Sequence, residues 1–165
     1  MFQPNRVFAI HRQFLILALI TPVSIDAAET SDYHVGEINR QALFARYPIF
    51  KANYHSYQPS AQSVSSFKAD LPEALEVSVL FGTWCHDSER EVPRLLKLLN
   101  LAGLPNESVE MYALDLKKKD PKGMANAMDI SYTPTFIFYV GGREIGRIVE
   151  RPEESLISDI VRLAN

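Results

Sequence analysis

Apolar positions recur along this chain with several distinct spacings, and each spacing predicts a different element. Leu43, Tyr47, Phe50, Tyr54 and Tyr57 fall four, three, four and three residues apart. That predicts one apolar face of a helix, with Pro48 disturbing its middle. Before it, residues 29–41 are polar and read as a flexible lead-in. After it, residues 58–66 hold Pro59 and four serines and read as a loop, and residues 67–75 as a short helix or turn. Residues 77–81 are a short, mostly apolar run that suits a buried strand. The run breaks at Gly82, Thr83, Trp84 and Cys85, where a helical pattern begins. Val92, Leu95, Leu96, Leu98, Leu99 and Ala102 line one side of that helix, and Glu89, Arg90, Glu91, Arg94 and Lys97 are read as its solvated side. Pro93 is expected to kink it, and it stops near Gly103 and Pro105.

The second half alternates in the same way. Residues 109–116 read as a strand, 117–120 as a charged, solvated turn, and 122–128 as a short helix. Residues 135–140 are a strong strand, Gly141 and Gly142 a hairpin turn, and 143–150 its partner strand. Leu156, Ile157, Ile160, Val161 and Leu163 make a closing amphipathic helix. Strands joined by helices and ended by a hairpin predict an α/β fold: a mixed central sheet with helices on both faces, in a single domain.

The N-terminus has a different character. Residues 1–13 carry Arg6, His11 and Arg12 and no acid, an apolar run of about a dozen residues follows, and Ala27 and Ala28 come after it. Residues 1–28 therefore read as a cleaved export signal, which places the mature protein in the periplasm or outside the cell. The alternative is an uncleaved membrane anchor. Residues 29–66 then form an N-terminal extension carrying the aromatic helix, and 67–165 the α/β domain.

Composition narrows the function. With 165 residues, 47% of them hydrophobic and 22% charged, the chain holds enough apolar mass for one domain with a real core. A net charge of −3 without a lysine or arginine stripe argues against nucleic acid as a partner. There is one cysteine, Cys85, so an intramolecular disulfide and a cysteine-rich zinc site are both excluded. No cofactor or metal is expected, because His34 and His55 lie in segments poorly placed to serve as ligands.

The residues around Cys85 carry a resemblance. Trp84, Cys85, His86, Asp87 and Ser88 lie between a strand and a helix, and Pro93 follows the cysteine by eight residues. Thr133 and Pro134 come about fifty residues on and open the strand that leads to the Gly-Gly hairpin. In this order the features resemble the thioredoxin family, over roughly residues 70–165. The resemblance implies a thioredoxin-like three-layer sandwich. It also implies a cis bond between Thr133 and Pro134, packed beside Cys85. Three departures accompany it. Ser88 stands where the family has its second cysteine, Val79 where it has a buried acid, and no lysine lies within 109–116. These losses belong together, since the acid helps deprotonate a resolving thiol that is absent here.

Cys85 is thus expected at a helix N-terminus, where unpaired N–H groups and the helix dipole stabilise a thiolate. Ser88, three residues on, is expected to donate its hydroxyl to the sulfur. His86, when protonated, favours the thiolate and Asp87 opposes it, with a net gain expected. Trp84 walls the site, and Thr133 and Pro134 offer a backbone edge on which an extended peptide could add. The leading expectation is a thiol–disulfide oxidoreductase in which Cys85 attacks protein or small-molecule disulfides and an external thiol donor resolves the mixed disulfide. The rivals are a non-catalytic peptide- or protein-binding module and a dimer linked through Cys85.

Overall fold

A computed structural model describes residues 32–165; the expected export signal at 1–28 lies outside them. Among the described residues no helix is long and apolar enough to cross a membrane. In chain order the elements are β1 (Gly36–Glu37), α1 (Arg40–Arg46), α2 (Pro48–Ser56), α3 (Ala61–Asp70), β2 (Leu75–Phe81) and α4 (His86–Ala102). A 3₁₀ turn (Asn106–Ser108), β3 (Val109–Ala113), α5 (Met124–Ala127), β4 (Thr135–Val140), β5 (Arg143–Val149) and α6 (Leu156–Ala164) follow. The strands form one mixed sheet in the order β1-β3-β2-β4-β5. β2 pairs with β3 in parallel, setting Val79 beside Met111, and with β4 antiparallel, setting Val79 beside Phe136.

Alternation along β2 divides the core. Val77, Val79 and Phe81 join Phe136, Phe138 and Met111 beneath α1–α4 and α6, while Leu80 joins Tyr112, Leu114 and Ile137 with Ala125 of α5. Helices therefore cover both faces, but unequally. One face carries nearly all of them, and the other carries the single turn of α5 and the loops around it.

The N-terminal third differs most from the sequence reading. The polar lead-in is docked: β1 pairs with β3, and Ile38 is buried. The aromatic helix is two helices, because Pro48 lacks the N–H that would continue α1 and takes the first position of α2, where that N–H is not required. The predicted serine loop is largely helix α3. Ser60 caps it by accepting from Ser63 N–H at 3.0 Å, so a serine that breaks a helix in mid-run here starts one. Leu43, Phe50 and Phe67 are fully buried in the same core as the sheet, with Phe50 edge-on to Phe81 at 5.9 Å between ring centroids. The described part of this extension, residues 32–66, thus contributes to the core rather than hanging from it.

α4 is capped by Cys85 and runs through Pro93. It ends where Gly103 takes a left-handed conformation (φ 89°) that lets Leu104 N–H reach the Leu99 carbonyl at 3.0 Å. One of its expected solvated residues is buried. Glu91 is 3% exposed, because α2 packs along this flank of α4, and its Oε1 accepts from Arg90 Nε at 2.6 Å and Arg94 Nη1 at 3.2 Å.

Candidate active site

β2 delivers the chain to the site. After Phe81 the backbone turns at once, with Cys85 N–H donating to the Gly82 carbonyl at 3.1 Å. The turn is tight because Gly82 has no side chain: a Cβ there would lie 2.6 Å from Cε2 of Trp84. The indole folds back over this backbone and donates from Nε1 to the Leu114 carbonyl at 2.9 Å, which locks it to the end of β3. Thr83 is buried, and its Oγ1 accepts the His34 N–H at 3.1 Å. The segment preceding β1 thereby braces the turn. Sequence reasoning missed that brace, since a backbone donor leaves no trace in side-chain patterning.

Cys85 is the N-cap of α4, half-buried, with extended backbone angles (φ −99°, ψ 122°) and no side-chain capping bond. Serine, threonine, aspartate or asparagine at this position would satisfy a first-turn N–H. Cysteine leaves those donors free for an anionic sulfur. In the observed state the thiol donates to the Thr133 carbonyl, with Sγ 3.2 Å from the oxygen. The Thr133–Pro134 bond is cis. Its loop is fastened on both sides: Thr135 Oγ1 donates to the Tyr132 carbonyl at 2.8 Å, and Glu150 N–H donates to the Pro134 carbonyl at 2.7 Å. Thr133 and Pro134 are buried, whereas Tyr132 is 56% exposed at the rim.

Not every expected partner meets the sulfur. Ser88 is fully buried, and its Oγ accepts Gly82 N–H at 3.2 Å, where it stabilises the turn instead of donating to Cys85. The reason is helical geometry, which carries a residue three positions past the cap back beneath the turn. His86 and Asp87 also look elsewhere. His86 Nδ1 lies 3.1 Å from Glu89 Oε2, and Asp87 Oδ1 accepts from Arg90 Nη2 at 2.6 Å. Both are i,i+3 pairs along the helix surface. Val79 is fully buried among apolar side chains. Among the described residues no group of three or more His, Cys, Asp or Glu side chains could hold a metal.

The geometry therefore unites Trp84, Cys85, Thr133 and Pro134, with Ser88 as a support below. It provides a single accessible sulfur at a helix N-terminus and no second thiol.

No protein-family model and no curated protein matches this sequence. Among solved structures the chain is similar to the thioredoxin of Malassezia sympodialis, with 22% identity, a TM-score of 0.39, and coverage of 61% of this chain and 85% of that one. It is similar to mitochondrial thioredoxin 3 of Saccharomyces cerevisiae (22%, TM-score 0.35, 59% and 86%). It is also similar to a Pseudomonas aeruginosa protein of unknown function (18%, TM-score 0.38, 76% and 96%). At these TM-scores the likenesses carry no chemistry across. By its own strand order, its helices on both faces and the cis-proline loop against Cys85, the chain has a thioredoxin-like α/β fold.

Proposed function

We propose that the protein is an exported thiol–disulfide oxidoreductase that works with one cysteine. The observation that supports this most is the position of Cys85: half-exposed, at the uncapped N-terminus of a 17-residue helix, with Sγ 3.2 Å from the Thr133 carbonyl. Deprotonation breaks the bond to Thr133 and leaves a nucleophilic sulfur at the uncapped start of α4. The thiolate attacks one sulfur of a substrate disulfide. A bond forms between Cys85 and that sulfur, the substrate S–S bond breaks, and the other half leaves as a thiolate that takes a proton from water.

Ser88 cannot attack this mixed disulfide, so an external thiol must. Its thiolate bonds to the substrate sulfur and releases Cys85, and the external thiol ends as the oxidised partner. Reduction, removal of small-thiol adducts and isomerisation all fit this cycle. Net oxidation does not, because the chain cannot store two electrons as its own disulfide. Trp84 and the cis-proline loop hold the substrate against the sulfur. Export through residues 1–28 would place this chemistry where disulfides persist.

The test is turnover of a neutral disulfide, bis(hydroxyethyl) disulfide, in excess small thiol. Wild type should accelerate the exchange and Cys85→Ala should not. Equal rates for the two proteins would shift the reading to a binding module in which Cys85 takes no part.

A further inference from the structure

The turn that follows β3 carries three consecutive lysines, and the middle one lies beside Trp84. Lys118 Nζ lies 6.0 Å from the centroid of the Trp84 ring. Asp115 builds the turn. Its N–H donates to the Lys119 carbonyl at 2.9 Å, its carbonyl accepts Lys118 N–H at 2.9 Å, and its Oδ1 accepts the N–H groups of Lys117 and Lys119, each at 2.8 Å. These bonds hold Lys118 at φ 57°, a conformation that side chains other than glycine seldom adopt. A turn needing only that conformation would be served by glycine, and here it carries a lysine whose ammonium reaches the active-site tryptophan.

A groove of about 500 Å³ opens between this turn and the loop ahead of Thr133, lined by Lys117, Lys118 and Lys119 on one side and Ile130 and Ser131 on the other. Asp120 and Asp129 line it too; the Asp120 carboxylate is turned onto the N–H groups of Lys122, Met124 and Ala125 at the start of α5, and the Asp129 carboxylate is within charge range of Arg147. Lys122, in the same segment, is tied to Glu37 at 2.7 Å. Lys117, Lys118 and Lys119 have no ion-pair partner among the described residues, so the lysine side of the groove, which reaches Trp84 through Lys118, is cationic on a protein whose net charge is −3.

We infer that this lysine turn selects the substrates of Cys85: disulfides bearing carboxylates close to the sulfur. The inference rests on the exchange chemistry proposed above. A carboxylate seated in the groove extends from the same half of the disulfide that Cys85 attacks. The bonds made and broken are those of the exchange step, and the lysines act by attraction alone.

The experiment measures single-turnover formation of the Cys85 mixed disulfide, quenched with acid and read by intact mass, at low and high salt. Three aliphatic disulfides serve as probes: dithiodipropionate (a dianion), cystamine (a dication) and bis(hydroxyethyl) disulfide (neutral). At low salt the wild type should favour the dianion over the dication. In Lys117→Gln/Lys118→Gln/Lys119→Gln that rate ratio should fall by about tenfold, an effect at the lower end of electrostatic steering. The corresponding triple arginine variant should keep the ratio, and high salt should erase it. An acidic and a basic peptide disulfide, run in parallel, distinguish a macromolecular from a small anionic substrate by which acidic probe the lysines accelerate more. If wild type reacts with all three small probes and the glutamine variant leaves the ratio unchanged, the lysine inference fails while the exchange chemistry stands. If wild type reacts with none of them, the exchange chemistry itself fails and takes the inference with it.

Discussion

Substituting Gly82 by alanine tests how the turn that carries Trp84 and Cys85 is held together. The added Cβ would sit 2.6 Å from Trp84 Cε2 and 2.9 Å from both Cζ2 and Nε1, about 1 Å inside ordinary carbon contact. The contact atoms belong to a rigid ring, so no side-chain rotation of a flexible tip relieves it. The ring itself is anchored by its 2.9 Å bond to the Leu114 carbonyl, and a shift of about 1 Å takes that bond beyond useful length. Overpacking costs about 1–3 kcal/mol and the lost hydrogen bond about 1 kcal/mol more. Together they should lower Tm by roughly 6–15 °C in a domain of this size. Trp84 is the chain's single tryptophan, so its emission reports the displacement directly and should move toward that of a solvated indole. In a Trp84→Phe background, where the ring is smaller and the N–H is gone, Gly82→Ala should cost less, giving a measurable coupling between the two positions. An unchanged Tm together with unchanged emission in Gly82→Ala would refute the packing argument.

Three further outcomes follow from the same structure. Ser88→Ala removes the acceptor of a buried N–H at Gly82 and should cost about 1–3 kcal/mol in denaturant unfolding, whereas no loss would mean that this N–H finds another partner. Phe50→Ala leaves a cavity against Phe81 and should cost about 3–5 kcal/mol, and a cost below about 1 kcal/mol would mean that α2 is not part of the core. Arg147 donates to both carboxylate oxygens of Glu144 and holds its carboxyl below the ordinary value, by hydrogen bonding first and charge attraction after. A depressed carboxyl stabilises the fold above its unfolded value and ceases to as pH falls through the folded one. Wild type should therefore exceed Glu144→Gln in stability at neutral pH, by less than about 1 kcal/mol for so exposed a pair, and the gap should close in acid. A gap that widened in acid would reverse the assignment.

The sheet and α4 were legible because their signals are local. The apolar run of β2, the glycine stop at Gly103 and the Gly-Gly hairpin each act within a few residues. The N-terminal third was less so. Ser60 reads as a loop former until it is seen to cap α3, and nothing in residues 29–41 announces that β1 will add to β3. At the candidate site, the cysteine, the tryptophan and the Thr133–Pro134 pair could be named from the resemblance to the thioredoxin family. The roles of polar neighbours could not. Ser88, His86 and Asp87 sit within three residues of Cys85, yet helix geometry turns them toward Gly82, Glu89 and Arg90. Burial of Glu91 required knowing where α2 packs, and the contact of Lys118 with Trp84 required the Asp115 turn.

In the proposed cycle Cys85 exchanges with disulfides, and the chain does not release the product unaided. Intact-mass analysis after incubation with bis(hydroxyethyl) disulfide tests it most directly. Wild type should accumulate a single adduct at Cys85 that persists until an external thiol is added. Ser88→Cys, which places a thiol where the buried serine stands, should discharge the adduct without one, through an internal disulfide formed at high effective concentration. Wild-type protein that stays at its unmodified mass through the incubation would contradict the account.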